Sequence, residues 1–494
     1  MNVNSVKSDL SNSAAGLEPG SVKLAAATLG ALTLAMLSVL LVVSQPAHAQ
    51  ATETVLYSFG SQTGDGGYPY AGLIEDTKGN FYGTTSGLGA NGTGAVFELS
   101  PTGTETLLYN FPSAVFNYPY DYYFSGALLM DKKGNLYGTN YQGGDFPYGT
   151  VYELVKPGKK EGWTESTLFN FGGNQGNEID GAVPYAGLIM DKDGNLYSTT
   201  NAGGVTSGGT VFELTPLPAS GDCPVDSYTD DTNWCDSQLY SFGYNPYTQG
   251  GGEDGIYPFG GVIMDKKGNL YGTAEAYGYA NGVYGGGSVW ELSPVSATGA
   301  CPSGSNPNYP LGNWCETVIY DFVTYSADGT NPYAGLIMDS KGNLYGTTFW
   351  GTNEYGPGSG YGSVFELSPE PATGCPAGSS TGNGWCETVL HAFGSSGDGS
   401  NPYAGLLRDS KGNLYGTTYN GGAYGYGIVF ELSPPPKKSV IWTETILYSF
   451  CSLQGCADGG NPVAGLIRDK EGNLYGTTQY GGAYGEGTVF EVTP

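Results

Sequence analysis

Acidic residues recur at a fixed place in a repeated segment that reads G-T-V-F-E-L or a close variant. The seven members are Glu98, Glu153, Glu213, Glu291, Glu366, Glu431 and Glu491. A ring of such carboxylates could serve acid–base catalysis or bind cations, whereas one buried hydrogen-bonded contact repeated in every unit would be structural. Because a catalytic site breaks the symmetry of a repeat and these acids preserve it, the pattern favours the structural interpretation.

A second set of carboxylates precedes glycine. Its members are Asp65, Asp180, Asp254, Asp328, Asp398 and Asp458. Asp-Gly is common in plain turns, although such carboxylates could also accept hydrogen bonds from sugar hydroxyls. The segment Asp191-Lys192-Asp193-Gly194-Asn195 looks like the start of a calcium loop, but the distal Glu is absent. We therefore expect turns here and no metal site.

Aromatic residues cluster in three loops that depart from the repeat. Together with Asp328, they are the candidate ligand-binding residues: Tyr118, Tyr120 and Tyr122 in the segment 116–124, Tyr277, Tyr279 and Tyr284, and Trp350 and Tyr355. Aromatic rings stack on planar or sugar rings, and their hydroxyl groups add polar contacts. The alternative is that Tyr and Gly simply fill the loops of this chain.

The eight cysteines form a local pattern. Three pairs share the form C-P…W-C, namely Cys223 with Cys235, Cys301 with Cys315, and Cys375 with Cys386, and a fourth pair, Cys451 and Cys456, closes a small loop. A zinc site is disfavoured because the spacing is wrong and His391 is the one histidine beyond residue 49. We predict four disulfides, which fits an exported protein.

A repeat unit, seen clearly in residues 401–434, sets the positions of these residues. Each unit has four short apolar runs without helical spacing, so we predict four strands, named A (A-G-L-I-M-D), B (N-L-Y-G-T-T), C (G-T-V-F-E-L) and D (E-T-V-L-Y-S-F). The units are phased on Asn80, Asn135, Asn195, Asn269, Asn343, Asn413 and Asn473. Their spacing of 55 to 74 residues suits a four-stranded propeller blade with loop insertions.

The two ends of the repeat array complement each other. The array opens with a strand D at 53–59 and closes with a strand C at 487–492. If the first strand completes the last blade, the ring has no exposed edge. We therefore predict an all-β fold over residues 50–494: a seven-bladed β-propeller with four strands per blade, closed by the N-terminal strand. Loops D–A and B–C should share one face, and we place the ligand there, near units two, four and five.

Residues 1–49 are interpreted as a signal peptide. Lys7 and Lys23 precede the apolar stretch 24–43, and Ala47-His48-Ala49 is a small-x-small cleavage pattern. An uncleaved anchor is the alternative, and it would be the chain's one membrane contact. The net charge of −28 disfavours nucleic acid and anionic lipid as partners. We expect a monomer without a cofactor, secreted or in the cell envelope, either extracellular or periplasmic.

The units resemble a known family, the choice-of-anchor tandem-repeat GloVer proteins, which are exported bacterial repeat proteins. The matching segments are P-Y-A-G-L-I-x-D, G-N-L-Y-G-T-T, G-G and G-T-V-F-E-L, seen at 332–348, 402–432 and 462–492. The resemblance implies no activity and no catalytic residue. The chain shows no C-terminal sorting segment of the kind that the family's name implies, so its attachment to the cell stays open.

Three functional classes remain. We expect a binding module for carbohydrate or extracellular protein; the alternatives are a polysaccharide lyase or hydrolase on a propeller scaffold and a structural envelope component. The sequence has no histidine cluster or phosphate loop, so an enzyme is not favoured. If a saccharide binds, Trp350→Ala should weaken binding by about 1–3 kcal/mol, and Asp328→Asn should weaken it less.

Overall fold

The computed structural model describes residues 51–494, apart from 113–125, 159–161, 173–179, 224–226, 229–231, 246–249, 252–254, 277–278, 281–282, 296–300, 302–313, 324–327, 352–359, 377–378, 395–396, 437–438 and 440. No helix in this part of the chain is long and apolar enough to cross a membrane.

Seven antiparallel sheets, each with four core strands, form a seven-bladed β-propeller, which confirms the predicted fold class. In chain order, strand A is Ile74–Glu75, Leu129–Met130, Ile189–Met190, Ile263–Met264, Ile337–Met338, Leu407–Arg408 and Ile467–Arg468. Strand B is Phe81–Thr85, Leu136–Asn140, Leu196–Thr200, Leu270–Ala274, Leu344–Thr348, Leu414–Thr418 and Leu474–Thr478. Strand C is Ala95–Leu99, Thr150–Val155, Ser207–Pro216, Val283–Pro294, Ser363–Pro369, Ile428–Ser433 and Thr488–Thr493. Strand D of blades one to six is Glu105–Asn110, Thr164–Asn170, Trp234–Asn245, Trp314–Val323, Trp385–Ala392 and Thr443–Ser449.

The N-terminal strand closes the ring. Thr52–Ser58 pairs antiparallel with Thr488–Thr493 and becomes strand D of blade seven. The N–H of Phe59 then donates to the carbonyl of Gly487 at 3.0 Å, and the Phe59 side chain is fully buried. This pairing covers the edge of strand C that blade seven would otherwise leave open.

Strand A is shorter than the sequence predicts. Only the two residues before the final Asp pair with strand B in each blade, because the preceding Ala-Gly residues leave the sheet to line the central axis. There the blades approach so closely that a Cβ at Gly187 would lie 2.8 Å from the carbonyl oxygen of Ala127, and one at Gly335 would lie 3.1 Å from that of Gly261. Small residues are therefore required where these strands converge.

Threonines of strand B hold neighbouring blades together at the axis. In six blades a threonine hydroxyl donates to a main-chain carbonyl at the start of strand A in the next blade, over 2.9 to 3.4 Å. The donors are Thr139, Thr199, Thr273, Thr347, Thr417 and Thr477. The last of these bonds reaches Ala71 in blade one, so the network also passes across the point of closure.

The apolar core is divided among the blade interfaces. Seven clusters of buried residues each join two successive blades. An aromatic residue of strand C lies in each of them: Phe97, Tyr152, Phe212, Trp290, Phe365, Phe430 and Phe490. The ring lies over a glycine of strand B in six blades; a Cβ at Gly272 would lie 2.3 Å from Trp290. This packing explains the Gly of N-L-Y-G-T-T.

The predicted disulfides and loop faces are both present. Bonds join Cys223 to Cys235, Cys301 to Cys315, Cys375 to Cys386, and Cys451 to Cys456; the last flanks the short 3₁₀ helix Gln454–Cys456. Loops D–A and B–C lie on the same face, since Asp65–Gly67 pairs with Gly87–Gly89 and Gly399–Ser400 pairs with Asn420–Gly421. Further short strands are Ser227–Tyr228, Gly250–Gly251, Tyr279–Ala280 and Ser380–Gly382.

Candidate functional site

Aromatic side chains from five of the seven blades line the mouth of the central channel. The ring consists of Tyr70, Tyr185, Phe259, Tyr333 and Tyr403, the aromatic residues of the P-Y-A-G segments. Tyr185 stacks on Phe259 with ring centroids 4.7 Å apart, and Tyr333 stacks on Tyr403 at 5.3 Å. Phe259 meets Tyr333 edge-on at 5.3 Å, and Tyr70 meets Tyr403 at 6.3 Å. The contacts are unbroken from Tyr185 to Tyr70, so the five side chains form one partly exposed apolar surface. We call these five residues the aromatic ring.

A strained residue before each proline aims these side chains at the axis. Tyr68, Val183, Tyr257, Asn331, Asn401 and Asn461 precede Pro and have φ between 54° and 62°. Positive φ is costly for a residue other than Gly and persists only where surrounding contacts hold it. At Val183, the N–H donates to the carbonyl of Tyr148 in blade two, and the carbonyl accepts from the N–H of Asn201 in loop B–C of blade three. Main-chain hydrogen bonds to two blades therefore hold the segment that carries each aromatic residue.

The aromatic ring lines a cavity of about 830 Å³. Its floor is formed by the Ala-Gly residues that precede strand A, and its rim by Tyr68, Ser86, Tyr141, Gln479 and Tyr480. These rim residues lie next to strands A and B on the face of loops D–A and B–C, so the cavity opens on that face. The volume falls within the range of small-molecule and sugar sites.

The ring hydroxyls can donate hydrogen bonds. Burial is the main cause that raises the pKa of Tyr70, Tyr185, Tyr333 and Tyr403 above that of free tyrosine. Each hydroxyl therefore stays protonated at neutral pH. The Tyr333 hydroxyl donates to Glu275 Oε1 at 2.8 Å. Among the described residues that line the cavity, none is Asp, Glu, His, Lys or Arg.

The residues predicted from the loops have different placements. Trp350 is half-buried and lies edge-on to Phe349 at 4.8 Å; Phe349 in turn contacts Tyr333 at 5.1 Å and Tyr403 at 5.8 Å. Trp350 thus joins the outer side of the aromatic ring without lining the cavity. Tyr279 and Tyr284 lie in strands Tyr279–Ala280 and Val283–Pro294. The other candidates, Tyr118, Tyr120, Tyr122, Tyr277 and Tyr355, lie outside the described residues.

Asp328 is buried between blades. It is 5% exposed, it accepts a hydrogen bond from the Tyr320 hydroxyl of strand D, and it does not line the cavity. Asp65 and Asp458 make the same contact with Tyr57 and Tyr448, at 2.8 and 2.7 Å. These carboxylates anchor loop D–A to strand D, in line with the turn interpretation of Asp-Gly.

A buried or half-buried glutamate of the next blade lies near each of these aspartates. Glu387 of strand D in blade five is 2% exposed, and burial followed by the charge of Asp328 raises its pKa to about 8. Glu53 lies near Asp458 and Glu105 near Asp65; burial, then these charges, raises the pKa of each to about 7. The protonated form is therefore favoured in the folded protein.

This arrangement predicts that the protein is more stable in mild acid. The pKa of Glu387 in the folded protein lies above its ordinary value of 4.5. Its contribution to the free energy of unfolding is therefore complete below pH 4.5 and is lost as pH rises through about 8. Glu387→Gln should raise the melting temperature at pH 8 and flatten its fall between pH 5 and 8. Thermal unfolding across this range measures the effect, with the exposed Glu370→Gln as the control for loss of one charge. An equal pH dependence in wild type and Glu387→Gln would contradict it.

The repeated glutamates of strand C form a structural contact. In blades one to five the strand B tyrosine donates to the glutamate over 2.6 to 3.1 Å: Tyr82 to Glu98, Tyr137 to Glu153, Tyr197 to Glu213, Tyr271 to Glu291 and Tyr345 to Glu366. The Asp of the A–B turn accepts main-chain N–H groups, as at Asp131 from Lys133 and Asn135, both at 2.8 Å. The Asp191 turn has the same bonding.

Comparisons with known proteins identify a repeat family. The model of the Gloeobacter/Verrucomicrobia repeat matches residues 42–241 and 349–494. No curated protein matches the chain.

Solved structures with a similar arrangement of strands have low sequence identity. An ulvan lyase with a bound saccharide is 10% identical, with a TM-score of 0.46, over 87% of this chain and 94% of the other. A putative 6-phosphogluconolactonase from Bacteroides uniformis is 15% identical, with a TM-score of 0.39, over 83% and 89%. A glucose dehydrogenase is 12% identical, with a TM-score of 0.38, over 90% and 99%. Similarity at this level does not extend to activity.

Proposed function

Because the chain belongs to the Gloeobacter/Verrucomicrobia repeat family and its repeats close into a propeller with an aromatic-lined mouth, we propose that it is an exported binding module for a neutral carbohydrate. The ligand occupies the cavity inside the aromatic ring. Trp350 extends this surface beyond the cavity.

The aromatic ring is the observation that supports this proposal. Its five side chains are partly exposed around a cavity of about 830 Å³, and stacked rings supply flat apolar surface for the C–H faces of sugars. Four of the five carry hydroxyl groups that stay protonated; that of Tyr333 already donates to Glu275, so it can accept a hydrogen bond from a sugar hydroxyl. The rings touch one another and are anchored by two blades each, so little conformational entropy is lost on binding.

The charge of the protein and of the site favours a neutral ligand. The net charge is −28, which repels anionic polysaccharides. The absence of Asp, Glu, His, Lys and Arg among the described lining residues leaves tyrosine as the one ionisable type in the cavity. Such a surface distinguishes one neutral ligand from another by shape and by hydrogen bonds.

The same chemistry favours binding over cleavage. A glycoside hydrolase requires two carboxyl groups about 5 to 10 Å apart around the scissile bond. A lyase that uses tyrosine as base requires a phenolate, and burial here raises the tyrosine pKa values. The lyase or hydrolase and the structural envelope component stay as the alternatives.

The disulfides support an extracellular or periplasmic location for the protein. Four bonds in the described structure suggest an oxidising compartment, extracellular or periplasmic. We place the mature protein there, with residues 1–49 as its signal peptide and a monomer as its working form.

A glycan-binding screen followed by titration of variants tests the proposal. Blade seven has Val463 where Tyr403 lies in blade six, so Tyr403→Val is compatible with the fold. It should weaken binding at least about tenfold, or about 1.4 kcal/mol, because it removes a stacking ring and a hydroxyl. Trp350→Ala should weaken binding less, because its side chain lies outside the cavity.

The controls separate binding from folding. Tyr424→Ala removes a tyrosine that is 52% exposed and lies outside the aromatic ring, so affinity should be unchanged. Circular dichroism should show each variant folded. Asp328→Asn should alter thermal stability and leave affinity near that of the wild type. Binding that survives Tyr403→Val, or release of unsaturated sugar products by the wild type, would reject the proposed site or its binding role.

A further inference from the structure

One position in strand D breaks the symmetry of the propeller. Where Tyr57, Tyr320 and Tyr448 donate to the aspartate of loop D–A in their blades, strand D of blade five carries His391. Its aspartate is Asp398, and the glutamate of the neighbouring blade is Glu444. The substitution therefore replaces a hydroxyl donor with an imidazole between two carboxylates.

Three ligand atoms converge at this place. His391 Nε2 lies 3.4 Å from Asp398 Oδ2 and 3.7 Å from Glu444 Oε1. Ligand atoms of the three residues all lie within 4.8 Å of one another, and this is the one such group of three in the part of the chain that the structure describes. His391 Nε2 and Glu444 Oε1 are buried atoms without a hydrogen-bond partner. The separations exceed those of ordinary charge-assisted hydrogen bonds.

These separations suit metal coordination. Zinc binds His nitrogen and carboxylate oxygen at about 2.0 to 2.1 Å in a tetrahedral arrangement, which separates two ligand atoms by about 3.3 Å. The Asp398 oxygens are also oriented by the main chain, since Gly394 N–H donates to Oδ2 and Gly399 N–H to Oδ1, both at 2.7 Å. Hydrogen bonds of this kind hold ligating carboxylates in place in metal sites.

We propose that His391, Asp398 and Glu444 bind a divalent first-row transition-metal ion between blades five and six. The three residues supply one nitrogen and two oxygen ligands, and a water molecule completes a tetrahedral site. Two carboxylates and a neutral imidazole carry a charge of −2, which a divalent ion balances. The acidic protein surface raises the local concentration of cations. Imidazole selects transition metals over calcium and magnesium.

Zn²⁺ and Co²⁺ titrations test the site. The chain should carry no affinity tag, and His48→Ala should be present in every variant, so that His391 is the one histidine left. By calorimetry we expect one Zn²⁺ per chain. In NMR spectra the proton signals of the single imidazole ring should shift with zinc, and Co²⁺ should give visible d–d absorption.

The repeat itself provides the matched variants. His391→Tyr restores the residue of the equivalent position in other blades, so it should preserve folding while it weakens Zn²⁺ binding roughly 100-fold or more. Asp398→Asn should weaken it as well, whereas Asp328→Asn, the same change one blade earlier, should leave it unchanged. Failure of the wild type to bind Zn²⁺ or Co²⁺, or unchanged binding by a folded His391→Tyr, would show that the three residues form only an ion pair.

Discussion

Removal of Thr52–Ser58 is expected to abolish the stable monomer. The deletion leaves Thr488–Thr493 of strand C as an unpaired edge and takes away the strand that holds the buried Phe59 in place. An exposed edge of this length pairs readily with other chains. Size-exclusion chromatography with light scattering should show aggregates, and thermal unfolding should lose its cooperative transition.

Relocation of the same strand should rescue the fold. When residues 51–59 are moved to follow Pro494, blade seven becomes continuous and the ring can close with the same strand pairs. The permuted chain should be monomeric and melt near the temperature of the wild type. A monomeric deletion variant with an unchanged melting temperature would contradict closure by this strand.

Among the single substitutions proposed for this protein, Trp290→Ala should reduce the free energy of unfolding most. Trp290 is fully buried in the core between blades three and four and lies directly over Gly272. Truncation leaves a cavity that the glycine cannot fill, and such changes cost about 3 to 5 kcal/mol. Chemical unfolding monitored by circular dichroism gives the difference in the free energy of unfolding.

Trp290→Phe is the matched control. Five other blades carry Phe at this position, and the change removes the indole N–H, which is buried without a hydrogen-bond partner. The loss of packing is therefore partly offset, and the cost should stay well below that of Trp290→Ala. Equal destabilisation by the two variants would mean that the repeat does not define equivalent core positions.

The features that depend on the order and spacing of residues along the chain could be predicted from the sequence. The seven units, the missing strand D of the last unit, the shared face of loops D–A and B–C, and the cysteine pairs each depend on order and spacing. The structure confirms all of them. The disulfides were predictable because partners lie 5 to 14 residues apart, so that local spacing limits the pairing.

The aromatic ring could not be predicted in this way. Tyr333 and Tyr403 are separated by seventy positions in the chain and meet only because strand A of every blade converges on the axis. The sequence indicates the ring only if two facts are combined: P-Y-A-G contains an aromatic residue, and strand A is the innermost strand of each blade. The aromatic residue of P-Y-A-G belongs to the repeat itself, whereas the predicted site residues, such as Trp350, are departures from the repeat. The burial of Asp328 likewise depends on Glu387 and Tyr320, which come from strands of two different blades.

The structure of the protein with its bound ligand tests the central claim most directly. The oligosaccharide with the highest affinity in a glycan screen should be soaked or co-crystallised. A sugar ring stacked within the aromatic ring, with hydroxyls bonded to Tyr70, Tyr185, Tyr333 or Tyr403, is the predicted result. A ligand bound on the opposite face, among the C–D loops that carry Cys223, Cys301 and Cys375, would contradict it.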